Sequence, residues 1–133
     1  MASIRKEILV DNAPARVWDA LRDVGNVHER VAPGFVVATQ MEQDGSARVV
    51  TFGNGMTARE LIVTVDDGAR RVVWAVVGSP RLTHHNASVQ VFPEGAGCRV
   101  VWIADLLPND ATGDIAGMIE AGMRVMKPTL DRA

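Results

Sequence analysis

Glu60, His85 and Asp105 are the residues of this chain best placed to do chemistry. Each falls in a run that otherwise alternates apolar and polar side chains, and the predicted strand register turns all three inward. An ionisable group on a strand's apolar face is costly to bury unless it is paired or meets a ligand. A carboxylate in apolar surroundings has its charged form disfavoured, so Glu60 would donate or accept a proton near neutral pH. Asp105 would fix the tautomer of His85 and hold its ring toward a substrate. Enolisation, dehydration and aldol-type cyclisation use such groups, and so does the orienting of a bound polar ligand.

The register follows from where each hairpin is centred, because a slip of one residue inverts a strand. Centring the last hairpin on Gly95 sets Val91 opposite Arg99 and His85 opposite Asp105. Centring the preceding one between Ser79 and Pro80 sets Trp74 opposite His85. Centring the one before on Gly68 sets Ile62 opposite Trp74 and Glu60 opposite Val76. One row then reads Ile62, Trp74, His85, Asp105, with Glu60 one row away; directly opposed Cβ atoms lie about 5 Å apart, within reach of a His–carboxylate bond. Val76, Ala87, Val101 and Ile103 complete the predicted pocket walls. Met118, Gly122 and Met126 face them from a helix, where flexible thioethers and a missing side chain suit a cavity. Arg81 lies in the loop at the cavity mouth. The same register leaves Trp102 on the outer face, where it would need a partner, unless a bulge turns the last strand. A homodimer through that face is one way to cover it.

Plainer readings stand beside these. Glu60 follows Arg59 and would be an ordinary surface charge on the convex face if its strand slipped. A slip in the next hairpin would put His84, Asn86 and Ser88 inward in place of His85. Trp18 reads as core and His28 as a surface residue. The three histidines share no ligand spacing, so no metal site is expected, and no cofactor.

The elements that must position these residues follow from periodicity and turn chemistry. Ser3 to Val10 reads as a strand. Asp11 or Asn12 is predicted to cap a helix that begins at Pro14, where a missing N–H costs nothing. Val17, Trp18, Leu21 and Val24 recur at helical spacing, and Gly25 to Ala32 reads as a second helical turn. Six strands are predicted over 35–42, 47–52, 56–65, 71–77, 82–92 and 98–107. Turn residues at 44–45, 54–55, 66–68, 78–80 and 93–95 separate them, as in an antiparallel meander. From Asp110 to Leu130 the period becomes helical, with Ile115, Met118, Ile119, Gly122, Met126 and Leu130 in one stripe. Its glycines and Pro128 weaken the helix on propensity, so it must rely on packing against the sheet.

A seven-stranded antiparallel sheet is too wide for one helix to cover unless it curls, and a curled sheet leaves a hollow beside the helix. In this order of elements, the chain resembles the helix-grip superfamily of START-like, Bet v 1-like and polyketide cyclase/dehydratase proteins, often called SRPBCC. The carriers are APARVWDAL, RELIVTVDDGARRVVWAVVG and CRVVWIADLLP, and the likeness covers nearly the whole chain. It implies an α+β fold of one domain, 1–133, with a curved sheet wrapped around a long C-terminal helix. It implies too a cavity for a small hydrophobic or amphipathic ligand; some members are cyclases, aromatases or hydrolytic enzymes, and others are co-chaperone-like interaction modules. Plant abscisic acid receptors belong to the same superfamily. Glu60 falls where they place an inward carboxylate, and Gly78 with Arg81 and Leu82 resembles their latch loop. Their longer gate loop is reduced here to Gly53-Asn54-Gly55, so the likeness does not extend to a closing gate.

Composition agrees with a single soluble domain. Hydrophobic residues make up 47% and charged residues 23% of 133 residues, a globular balance. A net charge of −2 offers no basic footprint for nucleic acid or for an anionic membrane. Cys98 is alone, which excludes a disulfide framework. The first residues lack a signal peptide's apolar stretch and no segment is long enough for membrane insertion, so a cytoplasmic location is the default expectation.

Overall fold

Strand alternation and the turn residues between the β-branched runs produce one continuous antiparallel sheet, in a computed structural model that describes residues 1–133. The strands are β1 (Ala2–Val10), β2 (Val36–Met41), β3 (Ala47–Phe52), β4 (Thr57–Asp66), β5 (Arg71–Val77), β6 (His84–Glu94) and β7 (Gly97–Leu107). Helices α1 (Pro14–Leu21) and α2 (Val27–Arg30) follow β1, and the long helix α3 (Thr112–Asp131) ends the chain after a 3-10 turn over Asn109–Ala111. The sheet order β1-β7-β6-β5-β4-β3-β2 makes β1 cross over to pair with the last strand. This is the helix-grip architecture. None of its helices is long and apolar enough to cross a membrane.

The apolar stripe of α3 explains why a glycine-rich helix persists. Ile119, Met126 and Leu130 are fully or almost fully buried against the sheet, and burial of that kind contributes about 1.5–3 kcal/mol per large side chain. Gly122 serves close approach, because a Cβ there would stand 3.1 Å from the Phe35 ring and 3.2 Å from that of Trp102. Trp18 on α1 is core, and its indole N–H donates to Asp67 at 2.9 Å, tying α1 to the β4–β5 turn.

One local expectation changes. No side chain caps α1, whose N-cap is Ala13. Asn12 instead donates to the carbonyls of Leu130 (3.1 Å) and Ala133 (2.8 Å), and the Asp11 N–H donates to Asp131 at 2.7 Å. These residues fasten the end of α3, whose last carbonyls lack intrahelical partners, rather than start α1.

The larger correction concerns the β6–β7 hairpin. It closes through the two residues Gly95 and Ala96, pairing Glu94 with Gly97, so His85 faces Leu106 and Asp105 faces Asn86. The predicted three-residue turn centred on Gly95 is one residue out of register. The physical reason is a two-residue turn with positive φ at its first position, which Gly95 supplies at 55°. That slip inverts β7. Trp102, Ala104 and Leu106 point inward, and Val101, Ile103 and Asp105 point to the convex face.

Candidate functional site

The concave side of the sheet, α2 and α3 enclose a cavity of about 80 Å³. Its walls are mostly apolar. Val50 and Phe52 come from β3, Val72 and Trp74 from β5, Val89 from β6, and Trp102 from β7. Phe35, with Val27 and Val31, closes it from the α2 side, and Met118 and Met126 close it from α3. Phe35 and Phe52 meet edge to face at 5.6 Å, as do Trp74 and Trp102 at 5.8 Å.

Three ionisable side chains interrupt this lining: Arg48, Glu60 and His85. Alternation along β3 points Arg48 to the same face as Val50 and Phe52, and β3–β4 pairing sets it directly opposite Glu60. The Arg48 Nε donates to Glu60 Oε1 at 2.9 Å, and its Nη1 donates to the Val24 carbonyl at 2.9 Å. The guanidinium also stands 5.5 Å from the centre of the Trp74 ring. Both members of the pair are buried. Burial pushes the Glu60 carboxyl above its ordinary range, with the Arg48 charge and hydrogen bond opposing that rise.

His85 is different. It is only 6% exposed, yet neither ring nitrogen has a hydrogen-bond partner within the protein. The Trp102 N–H, on a side chain 9% exposed, is likewise unpartnered. Nearly all buried polar atoms in folded proteins are paired, so two such groups on one cavity wall mark where a polar ligand atom would be stabilised. Burial, and to a smaller extent the neighbouring His84, pulls the His85 pKa below its ordinary value of 6.5.

A family model for polyketide cyclase / dehydrase and lipid transport proteins matches residues 1–132. The chain belongs to that family. No curated protein matches it in sequence. Among solved structures, a protein of Bacillus thuringiensis superposes with a TM-score of 0.86 at 15% identity, over 97% of this chain and 98% of its own. A protein of Thermobifida fusca reaches 0.80 at 26% identity, over 98% and 91%. The di-domain ARO/CYC protein BexL of the BE-7585A biosynthetic pathway reaches 0.76 at 18% identity, over 99% of this chain and 46% of that one.

In this family member, five of the residues singled out from sequence line the cavity: Glu60, Trp74, His85, Met118 and Met126. Ile62, Val76 and Ala87 pack within or against the core beside it, and Gly122 makes room for two of its aromatic rings. Arg81 is not at the cavity; it is an exposed residue that binds Asp114 of α3 at 2.5 Å. The β7 slip removes Val101, Ile103 and Asp105 from the walls. The predicted His85–Asp105 pair does not exist, because those residues occupy opposite faces of the sheet. Trp102 is inside, so it offers no exposed docking patch and needs no second copy to cover it.

Sequence reasoning missed Arg48 and the aromatic side chains Phe35 and Phe52. Arg48 was findable: a hairpin centred on Asn54 sets it opposite Glu60, and opposite charges on one inward row imply a pair. Phe35 carried no such signal, since it lies just before β2, in the segment that leads from α2.

A depressed histidine pKa has a signed consequence. The unfolded chain takes up a proton on His85 as pH falls below about 6.5, while the folded chain does so only at lower pH. The folded state therefore loses stability across that interval, and no further below the folded value. His85→Gln is expected to flatten the acid limb of a urea-stability profile below about pH 6.5. An unchanged slope would show that the ring is not buried uncharged.

Proposed function

We propose that this protein binds a compact, largely apolar molecule in the cavity between its sheet and α3. The observation that carries the reading is an apolar, aromatic-walled hollow into which a buried histidine projects without a partner. The family description, which joins cyclases and dehydrases with lipid transport, supports a small-molecule role. The cavity's 80 Å³ is well below the roughly 300–1,000 Å³ of pockets for drug-sized ligands. A single substituted ring fits that scale better than an extended acyl chain. With Asp105 outside, the cyclase reading loses its acid–base pair, and binding is the simpler account of the remaining groups.

Toluene is a suitable first probe. In an NMR titration it is expected to shift resonances of cavity-lining residues saturably and to leave the convex face unmoved. Val50→Phe, which adds a ring where the cavity now lies, is expected to abolish those shifts at a cost of about 1–3 kcal/mol in stability. Saturable shifts that persist in Val50→Phe, or no binding to the wild-type protein, would defeat the proposal.

A further inference from the structure

We infer that the cavity selects an uncharged ring bearing a hydrogen-bonding oxygen, in preference to a hydrocarbon or an ion. The inference rests on the binding reading above and specifies the class of ligand.

Charge is the first constraint. The only formal charges on the wall are Arg48 and Glu60, and they already neutralise each other through the 2.9 Å bond. An anionic ligand reaching Arg48 would meet the Glu60 carboxylate beside it, and a cation reaching Glu60 would meet the guanidinium. Neither ion would recover the cost of leaving water, which only a matched countercharge offsets.

Hydrogen bonding is the second constraint, and it works against a hydrocarbon. His85 and Trp102 are both more than nine-tenths buried, and their ring nitrogens have no partner in the protein. An indole N–H can only donate, whereas a neutral imidazole offers one donor and one acceptor. A ligand oxygen can therefore accept from Trp102, or a hydroxyl seated at the other position can donate to His85. A hydrocarbon leaves both groups unsatisfied away from bulk water, the costly side of hydrogen-bond energetics. In register Trp102 faces Val89 while His85 faces Leu106, so the two polar groups are spread along the wall rather than clustered. Three further rings in the wall, Phe35, Phe52 and Trp74, suit a planar occupant.

The test is a ladder of three probes of similar shape, toluene, phenol and benzoate, titrated by NMR into the wild-type protein and into His85→Leu/Trp102→Phe. Phenol is expected to bind the wild type about tenfold more tightly than toluene and at least tenfold more tightly than benzoate. In the double variant the phenol advantage is expected to disappear while toluene still binds, which reports an intact cavity. Phenol no tighter than toluene, benzoate tighter than phenol, or a phenol advantage that survives in the variant would each overturn the inference and leave cavity binding standing. Failure of all three probes to bind the wild type would remove the cavity reading itself, and this inference with it. Should the double variant fail to fold, the wild-type ladder alone decides.

Discussion

Replacing Arg48 with methionine is expected to lower the unfolding free energy by about 3–5 kcal/mol, the cost of leaving a buried charge without its partner. Methionine keeps much of the arginine's apolar length, so most of the loss reports electrostatics rather than packing. Glu60 would be left among Val50, Val72 and Trp74 with no cation, and the Val24 carbonyl would lose its donor. The double replacement Arg48→Met/Glu60→Leu should recover most of that loss, because removing both charges also removes both desolvation costs. The pH dependence has a definite sign. Glu60 already has a folded pKa raised by burial above its ordinary value of 4.5, so protonation of this group favours the folded state relative to the unfolded one. Its contribution is favourable below about 4.5 and declines as pH rises through the raised folded value. Without Arg48 that value rises further, so the deficit of Arg48→Met should shrink as pH is lowered toward 4.5. Urea titrations at several pH values read all three effects. A deficit under about 1 kcal/mol that is flat with pH would mean that the pair is solvated and not buried in the cavity wall.

What the amino-acid sequence makes legible here depends on how many residues each inference must count. The order of elements was readable because glycine, proline or aspartate stands in the turn after each strand and because the α3 stripe changes period. Facing was less secure. In β4–β5 the predicted pairing of Ile62 with Trp74 holds, although the four-residue turn from Asp67 to Arg70 is centred half a residue beyond Gly68; a bulge at Val63 takes up the difference. In β5–β6 the prediction is two residues out, and Trp74 faces Ala87 instead of His85. An even slip preserves the face, so His85 still points inward. In β6–β7 the slip is one residue, and it sends Asp105 out and Trp102 in. The same kind of counting error was therefore absorbed, harmless or inverting, depending only on its parity. The large aromatic that the predicted register left in water was itself a local signal that this parity was wrong.

That parity can be tested in solution, and the expected difference is large. Trp102→Ala should cost about 3–5 kcal/mol, the range for removing a buried aromatic side chain and leaving a cavity behind. The indole packs against Trp74 and stands where α3 passes at Gly122, so neighbouring groups have little freedom to collapse into the space. Ile103→Ala, one residue along the same strand, should cost about 1 kcal/mol or less, because Ile103 is 38% exposed on the convex face. Under the inverted register the ranking would reverse. The comparison carries functional weight as well, since Trp102→Ala enlarges the hollow at the point where the unpartnered indole N–H now lies. Toluene should consequently bind Trp102→Ala at least as tightly as the wild type if the variant is folded, whereas phenol should lose its margin over toluene. Chemical denaturation of the two alanine variants, followed by the same titrations, separates a wall residue from a surface residue on one strand. Equally small stability losses at positions 102 and 103 would place neither side chain inside and would remove the indole from the site.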